Sequence, residues 1–154
     1  TCADPREEYR SALGGMLELA DECLLPHQEL YIKVSPEMTA DAIDDVLDVA
    51  VEHEDAVGGF TATNTIKVHD EGFIYEPFKG GASGHAVYER SLQVHKGFAD
   101  RILDRGLPFD TIGVGGIDSL DRMLERKRLR ASGIQVYTGF IYKGLKLLDE
   151  LKER

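Results

Sequence analysis

The sequence predicts an α/β fold, with one leading helix and then four strand-helix units that make up half of an eight-fold β/α barrel. Short apolar runs rich in branched residues alternate with stretches at helical spacing, and this sets the order of elements. Apolar residues on both faces of those runs call for a sheet covered on both sides, hence parallel strands joined by right-handed crossovers. The chain has 154 residues, whereas a whole barrel needs about 250, so four units amount to half of one. The same units also fit a small open sheet with helices on both faces, of the flavodoxin sort.

Asp4-Pro5-Arg6-Glu7 offers a capping side chain, a proline at the first helical position and an acid three residues after the cap. A helix starts there, with Tyr9, Leu13, Met16, Leu17, Ala20 and Leu24 on its apolar face. Gly14-Gly15 weakens it by roughly 1 kcal/mol per glycine relative to alanine, and Pro26 ends it. Leu30 to Val34 is short, apolar and followed by Ser35-Pro36, the pattern of a buried strand and its exit. The next helix starts near Thr39 or Asp41 and turns Ile43, Val46, Leu47 and Ala50 inward. Ala56 to Thr63 is the second strand, and after a loop a helix from Tyr88 to Leu103 carries Leu92, Phe98, Ala99 and Ile102 inward. Asp110 to Val114 and Gly133 to Tyr137 are the third and fourth strands. Their helices are Ser119 to Arg128 and a closing one using Leu145, Leu148 and Leu151. No linker splits the chain, so residues 1–154 read as one partial domain.

Lys and Arg number 18 against 28 Asp and Glu, a net charge of −10. Such a balance opposes the counterion release that drives nucleic-acid binding and offers no basic face to an anionic membrane. No apolar run is long enough to span a bilayer and the first residues lack a signal-peptide pattern, so the chain as given reads as soluble and untargeted. Cys2 and Cys23 are too few for a disulfide framework and read as free thiols. The acidic positions Asp41, Asp44, Asp45 and Asp48 read as a solvated helix face. The chain opens on Thr1 rather than Met, as a processed or cut piece would.

Chemistry is expected at the strand ends. Gly113-Val114-Gly115-Gly116-Ile117-Asp118 follows a strand and precedes a helix, where unhindered backbone N–H groups can face a phosphate. A tight turn with no ligand would look the same. The next strand ends in Gln135-Val136-Tyr137-Thr138-Gly139, and in β/α barrels the loops after the last two strands often share one phosphate site. Lys33 interrupts an apolar strand, so its ammonium either meets an anionic partner such as a cofactor or reaches solvent from an edge. Thr61-Ala62-Thr63-Asn64-Thr65 gathers hydroxyls and an amide at a strand end, as ligand contacts or as a polar cap. Ile66 to Lys79, ending in Gly80-Gly81-Ala82-Ser83-Gly84, has the length of a lid. The five histidines lack ligand spacing, so no metal site is expected.

Taken in order, Ile32-Lys33-Val34-Ser35-Pro36, Ala62-Thr63-Asn64-Thr65, Gly80 to Gly84, Ile112 to Ile117 and Gln135 to Gly144 resemble the second half of dihydroorotate dehydrogenase. Tyr137-Thr138-Gly139 and Gly144 follow the quinone-linked class 2 pattern. The resemblance implies the C-terminal half, strands 5 to 8, of a (β/α)8 TIM barrel with FMN at the strand ends. It puts Lys33 near the flavin ring, Thr63 against the flavin, and Asn64 and Thr65 on the pyrimidine of dihydroorotate or orotate. Gly84, Gly116, Tyr137 and Thr138 match positions around the ribityl phosphate, with Gly115 beside them in the same turn.

The family's serine base is expected upstream of Thr1, so the 154-residue chain is expected to be inactive alone, its parent passing electrons to a quinone at a bacterial or mitochondrial inner membrane. A noncatalytic phosphate- or flavin-binding half that pairs with the missing N-terminal half or a second copy is the alternative from another class, and some other phosphate-binding barrel is a third. Two departures stand out. His85-Ala86-Val87 replaces a proline-containing segment, and Leu129-Arg130-Ala131-Ser132 stands where Ala-Gly-Ala-Ser is usual.

Overall fold

The computed structural model describes residues 4–68 and 80–152, with the side chain of Val68 left aside. Helix α1 (Pro5–Cys23) leads into β1 (Leu30–Val34), α2 (Ala40–Val51) and β2 (Val57–Ala62). Two short strands, β3 (Ile66–Val68) and β4 (Gly80–Ala82), and a 3₁₀ turn over Gly84–Val87 precede α3 (Tyr88–Arg105). Then follow β5 (Asp110–Val114), α4 (Leu120–Arg128), β6 (Gly133–Gln135), α5 (Thr138–Lys143) and α6 (Leu145–Leu151). The main sheet has the order β1-β2-β5-β6 and every pair in it is parallel, so all four strands finish on one side.

Local chemistry fixes the helix starts. Asp4 accepts from the Arg6 amide at 3.0 Å and Thr39 from the Ala42 amide at 3.2 Å, each satisfying a donor the first turn leaves open. Gly106, at φ 61°, ends α3 in the left-handed region. The core lies between the sheet and its helices. Leu13 and Leu17 of α1 and Ile43, Val46, Leu47 and Ala50 of α2 pack with Val57, Phe60 and Ala62 of β2. Phe60 stacks on Phe98 at 4.6 Å between centroids and meets Phe109 edge-on at 5.5 Å.

Several expectations need correction. Asp45 is not solvated: it is 7% exposed and takes hydrogen bonds from Arg6 at 2.8 and 2.9 Å and from Arg10 at 2.9 Å. Those arginines, one turn apart on α1, hold its carboxyl below the ordinary carboxylate range and tie α1 to α2. The closing helix buries Leu147 and leaves Leu145 and Leu148 exposed, one position off the expected face. The stretch expected to be a lid begins and ends as an antiparallel ribbon, with Ile66 opposite Ala82 and Lys67 opposite Gly81. Its middle, residues 69–79, lies outside the described residues, as does Cys2, while Cys23 is a free, exposed thiol.

Arg130 has φ 64° just past the end of α4, where the resembled family carries glycine. The Arg130 amide donates to Lys127 O at 2.8 Å and the Ala131 amide to Arg126 O at 3.2 Å, so the left-handed turn closes the helix despite the Cβ. We expect Arg130→Gly to stabilise the protein by up to about 1 kcal/mol, since relief of the left-handed strain exceeds glycine's entropic cost. Thermal unfolding of the two forms checks this.

His95 is fully buried on α3, with Nε2 2.9 Å from Thr111 Oγ1 and no hydrogen-bond partner for Nδ1 among the described residues. Burial, with a smaller contribution from the Arg126 charge, pushes it down from 6.5 to about 4. A histidine depressed in the folded state takes up its proton first when unfolded, so stability falls as pH drops from about 6.5 to about 4. The full loss is about 3 kcal/mol. Asp44 and Asp45, lowered by their arginine partners, add a loss at more acid pH. Unfolding followed across pH should show His95→Gln removing the first decline and keeping the second.

Candidate functional site

Because the four strands are parallel, their exits converge, and a cavity of about 140 Å3 opens where they meet. Lys33 comes from β1, Thr63, Asn64 and Thr65 from the exit of β2, Gly115 and Gly116 from that of β5, and Tyr137 and Thr138 from that of β6. Gly84 comes from the return of the β3-β4 ribbon. All nine candidate residues from the sequence therefore line one space.

Backbone pairing holds the exits together past the ends of the strands. The Asn64 amide donates to Val34 O at 2.8 Å and the Thr63 amide to Val114 O at 3.1 Å, linking the mouths of β1, β2 and β5. Asn64 turns its side-chain oxygen to the Thr65 amide at 2.9 Å, and the Thr63 hydroxyl donates to Asn64 O at 3.0 Å. On the other wall the Thr138 hydroxyl donates to Ser83 Oγ at 2.9 Å. Gly84 (φ 69°) and Gly116 (φ 68°) allow that wall to close up: a Cβ on Gly84 would lie 2.8 Å from Thr138 Cγ2, and one on Gly116 2.7 Å from Gly84 O. These glycines serve close packing as well as an open backbone.

The charge of the cavity is opposite to that of the chain. Among the described residues, sixteen line it, none of them an acid and only Lys33 carrying a charge, in a chain of net charge −10. Lys33 is exposed, so its place in an apolar strand is not a burial. It reaches solvent and lines the cavity at once because β1 is an edge strand. Glycine backbone, hydroxyls, an amide and one ammonium suit a polar anionic ligand. No group of three or more His, Cys, Asp or Glu that could hold a metal occurs among the described residues.

Sequence reasoning missed the layer behind the glycine turn. Arg126 of α4 is fully buried and donates to Ser91 O (2.9 Å), Ser91 Oγ (2.9 Å), Gly115 O (3.2 Å) and Val114 O (3.4 Å). Burial lowers it from the ordinary arginine value to about 10. Nothing in the helical pattern around Arg126 distinguished it from its exposed neighbours Lys127 and Arg128. A larger cavity of about 510 Å3 lies at the opposite end of the sheet, lined by Leu107, Phe109 and Arg130 among others, and holds none of the candidate residues.

Against known proteins, the family described as "Dihydroorotate dehydrogenase" matches residues 6–154. The dihydroorotate dehydrogenase (quinone) of Kineococcus radiotolerans is 36% identical over 144 residues, covering 90% of this chain and 38% of the relative. That of Bordetella pertussis is 35% identical over 150 residues, covering 94% of this chain and 41% of the relative. The chain thus spans about two fifths of the curated relatives it matches. Among solved structures, the Eimeria tenella enzyme in complex with ferulenol superposes with a TM-score of 0.72 at 22% identity, over 95% of this chain and 42% of that one. The ligand-free type from the same organism gives 0.66 at 29% identity, over 80% of this chain and 33% of that one. With a parallel α/β sheet in common with those structures and a family match along nearly its whole length, this chain belongs to the dihydroorotate dehydrogenase family.

Proposed function

We propose that residues 1–154 are the C-terminal half, units five to eight, of the barrel of a quinone-linked dihydroorotate dehydrogenase, and that the whole protein oxidises dihydroorotate to orotate. The observation that carries this is a cavity that gathers all nine residues the resemblance assigns to cofactor and substrate, its described lining free of acids in an acidic chain. The cavity fits FMN in its chemistry, with glycine turns and hydroxyls for a phosphate and a cation and an amide for a ring system.

Bound FMN would supply the hydride acceptor that no side chain provides. Gly84, Gly115, Gly116, Tyr137 and Thr138, all lining residues, would hold the phosphate, and Thr63 would contact the flavin. Lys33, which lines the same cavity, would set a positive charge beside the ring and so favour its electron-rich reduced form. Asn64 and Thr65 orient the pyrimidine, their exposed side chains standing at the mouth of β2. The proton is taken by a serine in a loop upstream of these residues, and the quinone and membrane contacts belong there too. None of the described helices is long and apolar enough to cross a membrane.

A second reading is a noncatalytic flavin-binding half that works only when covered by another. It is favoured by the unpaired edges β1 and β6 and by Tyr142, Leu145 and Ile141, which are 85%, 72% and 62% exposed. Assay of dihydroorotate oxidation with a quinone acceptor separates the two. The intact protein is expected to turn over and the 154-residue chain alone to show none, and turnover by the chain alone would overturn the assignment of the base. In the intact protein, Lys33→Gln should disfavour reduced relative to oxidised flavin by about 1 kcal/mol, the scale of one charge at a solvent-open site. A spectroscopic redox titration reads this directly.

A further inference from the structure

Helix α4 presents Arg122 and Arg126 one turn apart, and both guanidiniums lie over the ring of Tyr88, at 4.3 and 5.6 Å from its centroid. Arg122 donates to Gly116 O at 2.9 Å and to Asp118 at 3.0 Å, and also hydrogen-bonds His85 Nδ1. Arg126 donates to Gly115 O at 3.2 Å and Val114 O at 3.4 Å, and Ser91 anchors it from the other side at 2.9 Å. Three successive carbonyls of the glycine turn are therefore held by two cations.

In a trans peptide the C=O of one residue and the N–H of the next point in opposite directions. Pinning the oxygens of Val114, Gly115 and Gly116 toward α4 therefore turns the amides of Gly115, Gly116 and Ile117 away from it. Those three residues are lining residues of the cavity. The four hydrogen bonds of Arg126 go to neutral acceptors, and its Nε has no hydrogen-bond partner among the described residues. The neighbouring Glu125 offsets the cost of burying this cation only in part, and a further anion in reach of its field would lower it.

We infer that Arg122 and Arg126 are positioning residues for the anionic tail of the cofactor, fixing the glycine-turn amides toward it and placing two positive charges one peptide layer behind. This rests on the phosphate reading above and adds the residues that make the turn selective for a phosphate. They touch no ligand themselves. They act through the backbone they hold.

The test compares FMN with riboflavin, which has the same ring and no phosphate, on the intact protein stripped of flavin. Wild type should prefer FMN strongly. Arg126→Met should cut that preference by about tenfold or more, the scale of one charge-assisted interaction, with riboflavin affinity unchanged. Arg126→Lys, keeping the charge, should restore most of it, and Arg122→Gln should give a smaller loss of the same kind. Equal weakening of both flavins in Arg126→Met, or an unchanged preference, would overturn the inference. A wild type without preference for FMN would instead bring down the phosphate reading, and the inference with it. Hydrogen exchange of the 114–117 amides in the flavin-free protein supplies a readout independent of binding. It should quicken about tenfold in Arg122→Gln, matching about 1.4 kcal/mol of lost restraint, and unchanged exchange would also overturn the brace.

Discussion

The carbonyl oxygen of Val114 is where the layers of this protein are joined. It accepts from the Thr63 amide at 3.1 Å, from the Ser91 hydroxyl and from Arg126 at 3.4 Å. One acceptor thus collects the exit of β2, the first turns of α3 and the middle of α4 at the last residue of β5. Parallel strands end on the same side, but nothing in a parallel ladder holds their exits together once pairing stops. Here the Val114 oxygen and the donors around it join β2 and β5 to the helices, while the Asn64 amide on Val34 O at 2.8 Å ties in β1. The cavity walls stand because those exits do not separate.

Charge is sorted with the same economy. The acids that give the chain its net −10 are mostly on helices, several of them in arginine pairs: Asp44 with Arg101 at 2.6 Å, Asp48 with Arg105 at 2.7 Å, Asp45 with Arg6 at 2.8 Å. The pairs on exposed ground contribute little each, but they bind α1, α2 and α3 to one another. At the cavity the described lining, with Lys33 and no acid, favours an anion where the glycine backbone is open to receive it.

Most of the framework was legible because its signals are local. Leu30 to Val34 and Asp110 to Val114 appear as strands with the bounds their apolar runs set, and Asp4 and Thr39 cap the helices they announce. That most of the nine candidates lie together at the strand exits was legible for a related reason, since strand ends can be found from periodicity, whereas their assignment to cofactor and substrate comes from the resemblance alone. What escaped is what depends on distant partners. The β3-β4 ribbon pairs Ile66 with Ala82 across a long intervening stretch, and Gly80-Gly81-Ala82 has no strand propensity of its own. The burial of Asp45 depends on Arg6 and Arg10, whose spacing on α1 was visible but whose target on α2 was not. Arg126 sits in a run of basic residues on a helix, where a solvated face is the ordinary reading, and only packing against Ser91 and the glycine turn tells it apart.

The unsatisfied surfaces of the chain follow from the same geometry. A sheet ordered β1-β2-β5-β6 has one ladder edge open at each side, and the apolar side chains of α5 and α6 flank the β6 edge: Ile141, Tyr142 and Leu145 are more exposed than buried. Tyr137, a lining residue of the cavity, is itself 75% exposed, so the wall that holds the proposed phosphate site continues onto uncovered surface. In the proposed half-barrel these are one feature, not two. Strands that pair with β1 and β6 would enclose the cavity from the side where Lys33 and Tyr137 now face solvent, and would cover the apolar faces of α5 and α6 in the same movement. The ring end of the cavity, next to Lys33 at the β1 edge, would then be the part that depends most on the added strands. The proposed phosphate end, by contrast, draws all its assigned residues from the exits of β5 and β6 and from Gly84, with Arg126 of α4 behind them.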